Sequence, residues 1–369
     1  MAFLSRLFVF VWLPVFAVLT SFAQAPKQVM QRRTENLVII TLDGMRWQEI
    51  FGGIDSQLLN NKSYTREADD LKEKFWSEDA GDRRKKLFPF FWTTIQTGGQ
   101  LYGNRNIGNL VNVANPYQFS YPGYNEIFTG YPDTAINSND KIWNKNRNVL
   151  EFLNKQNGFT GKVAAFTSWD AFPYILNNSR SGIYVNSDVD TLRFNDGGLR
   201  LVDQMQWLTS RPLGLRPDLL TYFAAKEYLR AYAPRVLYIA WDETDDWAHA
   251  GQYDQYIRSA HAEDGMIGDL WQTLQSLPQY KDKTTLIVTC DHGRGDKIKD
   301  QWKSHGRDVD DSGGIWMVVI GPDTPATGEV STKSQLYQKQ WAPTIARFLG
   351  YTFRPDHGSA NPVTTVVSY

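Results

Sequence analysis

Three continuous apolar runs of this sequence each end in an aspartate: Leu42-Asp43, Trp241-Asp242 and Cys290-Asp291. One aspartate in such a place serves as the cap of a following helix. Three at one edge would repel one another unless positive charge sits among them. Histidines accompany two of these segments. Asp291-His292-Gly293 is contiguous, and Asp245 precedes His249 by four residues, so both share one face if residues 244–250 turn as a helix. Ser304-His305-Gly306 lies in a Gly- and Asp-rich loop 13 residues beyond His292. Asp43, Asp245, His249, Asp291, His292 and His305 form a mixed Asp/His set without a thiolate. Six such ligands suffice for two divalent ions, with zinc the first expectation and manganese or iron the alternatives. The other two histidines read differently: His261 falls inside an amphipathic helical pattern, and His357 lies in the tail.

The nucleophile expected beside such a pair is Ser120. Ser120-Tyr-Pro-Gly-Tyr-Asn-Glu-Ile-Phe-Thr-Gly130 reads as a loop entering a short helix that stops at the glycine. A serine at a helix N-terminus either caps the helix or meets an anion favoured by the dipole and the free N–H groups. The sequence has no Gly-x-Ser-x-Gly elbow and no Ser/His/Asp relay. A serine coordinated to a metal needs neither, because coordination lowers its hydroxyl pKa.

Positioning these residues falls to buried strands. Residues 36–42, 163–167, 236–240, 284–289 and 315–320 are continuously apolar, as strands covered on both faces are. Helical patterns over 148–157, 217–232, 253–277 and 334–349 separate them. The alternation predicts an α/β fold, a mostly parallel central sheet with helices on both faces. Ligands of such sheets bind outside the carboxyl ends of the strands, where the aspartates fall. Residues 52–95 and 168–215 read as irregular cap insertions that build or cover a cleft.

The 369 residues carry 39 Lys plus Arg against 40 Asp plus Glu, so there is no basic excess to argue for nucleic acid. A hydrophobic fraction of 42% excludes wholesale disorder, and the single cysteine, Cys290, excludes a disulfide framework. Arg6 precedes an apolar stretch over 7–22, short of the roughly 20 residues a membrane span needs. Small residues around Ala23 predict signal-peptide cleavage there, with an uncleaved anchor as the other reading. The expectation is residues 1–23 as signal peptide and 24–369 as one catalytic domain, exported to a periplasm or secreted, with no membrane span after cleavage.

In order along the chain, these motifs resemble the alkaline phosphatase superfamily, nearest its phosphodiesterase/nucleotide pyrophosphatase branch. Leu42-Asp43-Gly44 is similar to the first metal aspartate, and Ser120-Tyr-Pro with Thr129-Gly130 to the nucleophile segment. Asp245 to His249, Asp291-His292-Gly293 and His305 resemble the remaining ligands, and 340–350 the closing helix, so the similarity spans roughly 36–350. The resemblance implies that Asp43, Asp291 and His292 hold the metal that activates Ser120, itself a ligand, while Asp245, His249 and His305 hold the metal facing the leaving group. It implies a small-molecule phosphoester, mono- or diester, hydrolysed through a phosphoseryl intermediate, with Asn139 on a phosphoryl oxygen and Asn125 or Asn137 as alternatives. Lys141 and Arg46 are further phosphoryl contacts to consider. The sequence departs from the pattern at two points. No Arg follows Ser120-Tyr-Pro122-Gly-Tyr124, against a formylglycine sulfatase, and His305 lies earlier than the branch's last histidine, which makes His357 its competitor. The other functions open to the fold are sulfate-ester or phosphonate hydrolysis and phosphotransfer; outside catalysis stands a metal- or glycan-binding envelope protein.

Overall fold

The computed structural model describes residues 31–369 except Ser359; the signal peptide expected over 1–23 lies outside the described residues. Strand β1, Asn36–Leu42, is buried at every residue, as its unbroken apolar run requires. It is followed by β2 (Gly99–Tyr102), β3 (Asn109–Asn112), β4 (Val163–Thr167), β5 (Tyr184–Ser187), β6 (Val236–Trp241), β7 (Thr284–Thr289), β8 (Gly314–Ile315), β9 (Met317–Ile320), β10 (Gly328–Glu329) and β11 (Ser334–Tyr337). The main sheet has eight strands in the order β10-β2-β9-β7-β1-β6-β4-β5, and β11-β3-β8 form a small second sheet. From β7 to β5 all neighbours are parallel; β9 runs antiparallel to both β7 and β2.

Register delivers the aspartates. Thr41 of β1 lies beside Thr289 of β7, and Leu42 beside Trp241 of β6. The three chains therefore leave the sheet side by side, and Asp43, Asp242 and Cys290-Asp291 are their next residues. The helices that matter most here are α1 (Ser120–Thr129), α2 (Asp218–Tyr232), α3 (Glu243–His249), α4 (Tyr253–Ser276) and α5 (Trp341–Phe348). Helices α2 and α3 cap each other. The Asp218 carboxylate accepts the N–H groups of Asp242 at 3.0 Å and Glu243 at 2.9 Å, while Glu243 Oε1 accepts the Asp218 N–H at 3.1 Å. This reciprocal bonding fixes where α3 starts, and so where Asp245 and His249 point.

The structure corrects four sequence readings. Residues 315–320 are not one strand: Ile315 pairs with Val111 in the small sheet, whereas Met317–Ile320 pair with β7 and β2. Trp316 sits at the break, its indole N–H bonded to the Met45 carbonyl at 2.9 Å. Residues 334–349 are not one helix, because 334–337 alternate outward and inward as β11 and α5 begins only at Trp341. Residues 52–95 are ordered rather than irregular, forming helices Ser56–Leu59, Ala68–Phe75 and Ala80–Leu87 that bury Leu58, Leu71, Phe75 and Leu87. Residues 168–215 supply the edge strand β5 and the helix Gly197–Leu208. Among the described residues no helix is long and apolar enough to cross a membrane.

Candidate metal centre

At the carboxyl edge, Asp43, Asp291 and His292 bring one ligand atom each within 4.8 Å of one another, and so do Asp245, His292 and His305. In the first group each carboxylate has one oxygen engaged. Asp43 Oδ2 accepts the Tyr124 hydroxyl at 2.8 Å, and Asp291 Oδ1 accepts the Gly44 N–H at 3.1 Å. Their other oxygens, Asp43 Oδ1 and Asp291 Oδ2, are buried and lack any hydrogen-bond donor beyond the His292 nitrogen, 3.3 and 3.5 Å away. Buried oxygens of this kind are costly unless something positive completes them. The His292 Nδ1–H bonds the Gly293 carbonyl at 2.9 Å, which directs Nε2 into the same space. Burial opposes a charge on His292, but Asp291, Asp43 and Asp245 outweigh it and push its pKa up to about 9. Burial and the mutual repulsion with Asp43 hold the Asp291 carboxyl well above the usual range. Two oxygens and one imidazole nitrogen converging in a dry, acidic pocket fit a divalent cation.

The second group is more open. Helix α3 puts Asp245 and His249 on one face, with His249 Nε2 3.1 Å from Asp245 Oδ2. His249 Nε2 lies 3.0 Å from His305 Nε2, and the His305 ring stacks on His292 at 3.9 Å between centroids. His305 Nδ1 faces the Gln118 carbonyl at 3.3 Å, so its Nε2 too is turned inward. Burial and the neighbouring His292 depress the His305 pKa to about 2, which keeps it a neutral donor. Burial would raise Asp245, but Arg294 first and His249 next hold it well below the carboxylate range. His292 is common to both groups.

Ser120 is the first residue of α1, with its Oγ 3.4 Å from His292 Nε2. Asn139 Oδ1 accepts the Tyr121 N–H at 2.9 Å, so Asn139 sits against the start of that helix. Of the other amides, Asn125 is tied within and beyond its own helix to Tyr131, Asn144 and Asn146, and Asn137 is exposed, as Asn139 is. Arg46 is buried against Glu49 and Asp296, and Lys141 pairs with Asp170. His357 stacks on Tyr131 at 4.5 Å, and His261 bonds the Leu87 carbonyl at 2.8 Å. Neither approaches the carboxylate edge.

Several supporting residues escaped the sequence reading. Tyr124 holds Asp43, Gln338 donates to the Asp291 carbonyl at 2.7 Å, and the Thr244 hydroxyl donates to the Asp43 carbonyl at 2.7 Å. A Cβ on Gly123 would fall 2.5 Å from the Asp291 carbonyl oxygen, so this glycine lets α1 approach the ligand strand. The buried cation Arg294, one residue past Asp-His-Gly, was the most visible omitted signal.

No family model matches the sequence, and no curated protein matches it. Solved structures do match. The alkaline phosphatase PafA aligns at TM-score 0.62 and 11% identity over 92% of this chain and 100% of its own. The lipoteichoic acid synthase LtaP from Listeria monocytogenes aligns at 0.59 and 12% over 91% and 77%, and the phosphonate monoester hydrolase of Agrobacterium radiobacter at 0.53 and 14% over 90% and 77%. The chain has the fold of the alkaline phosphatase superfamily.

Proposed function

We propose that this chain is an exported hydrolase of small-molecule phosphoesters, with Ser120 as its nucleophile. Asp43, Asp291 and His292 would hold one divalent metal, and Asp245, His249 and His305 a second; a nitrogen and oxygen set without thiolate suits zinc. When bound, such ions supply charge neutralisation and an acidified serine hydroxyl. The observation that carries this reading is the meeting of Ser120 Oγ, His292 Nε2 and two undonated carboxylate oxygens in one buried space. The hydrolases among the structural neighbours support it.

The chain's own residues set the course of the reaction. Helix α1 presents Ser120 at its positive end, which favours an anionic ester there. Asn139 has its oxygen committed to Tyr121, leaving Nδ2 to donate to a phosphoryl oxygen. The serine oxygen bonds phosphorus as the ester oxygen leaves, and the serine proton passes through solvent to the departing alcohol. Water then cleaves the phosphoseryl ester and restores Ser120. The test is a panel of nitrophenyl phosphate monoester, phosphate diester, phosphonate and sulfate ester, run on chelator-stripped and zinc-reloaded protein. Phosphoester turnover should vanish on stripping and return with zinc. Full turnover without metal, or turnover of the sulfate ester alone, overturns the reading.

A further inference from the structure

Arg294 is 1% exposed and lies where three strands end. Its Nε donates to the Gly44 carbonyl at 3.1 Å, past the end of β1. Its Nη2 donates to the Asp245 carbonyl at 3.1 Å and also meets Asp245 Oδ1. The arginine itself follows β7, so one side chain ties together the segments leaving β1, β6 and β7. Gly44 makes room for it: with φ at +58°, a Cβ there would lie 2.9 Å from Nε and 3.0 Å from Nη2. A fully buried guanidinium is costly unless it has a definite task.

Charge defines that task. Asp43, Asp242, Asp245, Asp246 and Asp291 crowd this edge, and Arg294 is a cation buried among them. We infer that Arg294 is the positioning residue of the second metal subsite: it fixes the Asp245 carboxylate toward His249 and His305 and sets a buried positive charge beside it. The inference rests on the two-metal reading above. Asp245 Oδ1 is the oxygen that Arg294 holds, and it also lies 3.7 Å from His292 Nε2 and 3.9 Å from His305 Nε2. Oδ2 is left for His249 at 3.1 Å. The Nη2 contact to Oδ1 thus decides how one carboxylate divides between the two halves. Lysine has the charge but not the fork, whose separate Nε and Nη2 reach the Gly44 carbonyl on one side and the Asp245 carbonyl and Oδ1 on the other.

The experiment is a calorimetric zinc titration of chelator-stripped wild type, Arg294→Gln and Arg294→Lys, with melting curves alongside. Wild type should take two equivalents. Arg294→Lys should fold, keep one tight equivalent and bind the second about tenfold or more weakly, as loss of a ligand's outer partner does. Arg294→Gln should show a larger loss at the second site. Two equivalents of unchanged affinity in a folded Arg294→Lys overturn the inference and leave the metal reading standing, since a purely structural cation would be replaced by lysine. Wild type that takes up no zinc overturns both.

Discussion

The two halves of the centre are built differently. Asp43, Asp291 and His292 are at most 1% exposed and follow directly on central strands, whereas the His249 side chain is 46% exposed and stands on a seven-residue helix. The strand-end half is clamped from all sides by Tyr124, the Gly44 N–H, Gln338 and the close approach of Gly123. The helix-and-loop half depends on the capping of α3 by Asp218, on Arg294 and on one loop carbonyl, that of Gln118. Under the proposed function, a rigid, buried half suits generating the nucleophile, where small displacements are expensive. Under the same proposal, an open half suits a leaving group whose shape varies. The difference implies an order of metal loss: under a limited amount of chelator, the metal of the open half should leave first.

Substitutions test that asymmetry. The largest effect belongs to Asp291→Asn, which removes a charge from the strand-end half; activity should fall by about 10³-fold or more, with the first metal lost. His249→Ala and His305→Ala should each lose only the second metal, and turnover should fall by about 10²-fold. Metal counting together with single-turnover kinetics checks both. Equal falls in turnover in all three variants would break the comparison. Tyr124→Phe, a smaller change, removes the donor to Asp43 and should weaken the first metal about tenfold without affecting the second.

Parts of this asymmetry are legible in the sequence. Strands β1, β6 and β7 are recognisable because both faces are covered, which leaves unbroken apolar runs that end in Asp43, Asp242 and Asp291. The four-residue spacing of Asp245 and His249 states their shared face. Strands β2, β3 and β5 have four residues each, too few for a period to show. The division between β8 and β9 is made by tertiary contacts of Trp316, and no local signal marks it. Arg294 and Tyr124 meet partners 49 and 81 residues away, and such contacts have no signature in spacing. That His292 serves both groups is likewise visible only in three dimensions.

A pH experiment probes what holds α1 against the strand-end half. Glu126 of that helix accepts the N–H groups of Ala114 at 3.0 Å, Asn115 at 2.8 Å and Lys339 at 2.9 Å. Burial dominates these bonds and pushes its pKa up to about 7 from 4.5. The folded state therefore holds this proton more tightly than the unfolded chain does. Its contribution is fully present below pH 4.5 and is lost as pH rises through 7. Glu126→Gln should melt at a temperature that changes less between pH 5 and 8 than wild type. An unchanged slope would remove Glu126 from the account.

The smallest effect is expected at His357, and geometry gives the reason. Its ring stacks on Tyr131, just past Gly130, where α1 stops with φ at 69°. Ser120 is at the opposite end of the same ten-residue helix, and ten residues of helix span roughly 15 Å. An imidazole ligand must lie about 2.0–2.1 Å from zinc, so the tail histidine is out of reach while α1 keeps its length. His305, by contrast, already touches His249 and His292. His357→Ala should keep both metals and turn over at the wild-type rate within about twofold, with a stability change within about 0.5 kcal/mol, as for an exposed side chain. Loss of one zinc from His357→Ala, with both retained in His305→Ala, would mean that the tail folds over the open half and that the assignment of its third ligand is reversed.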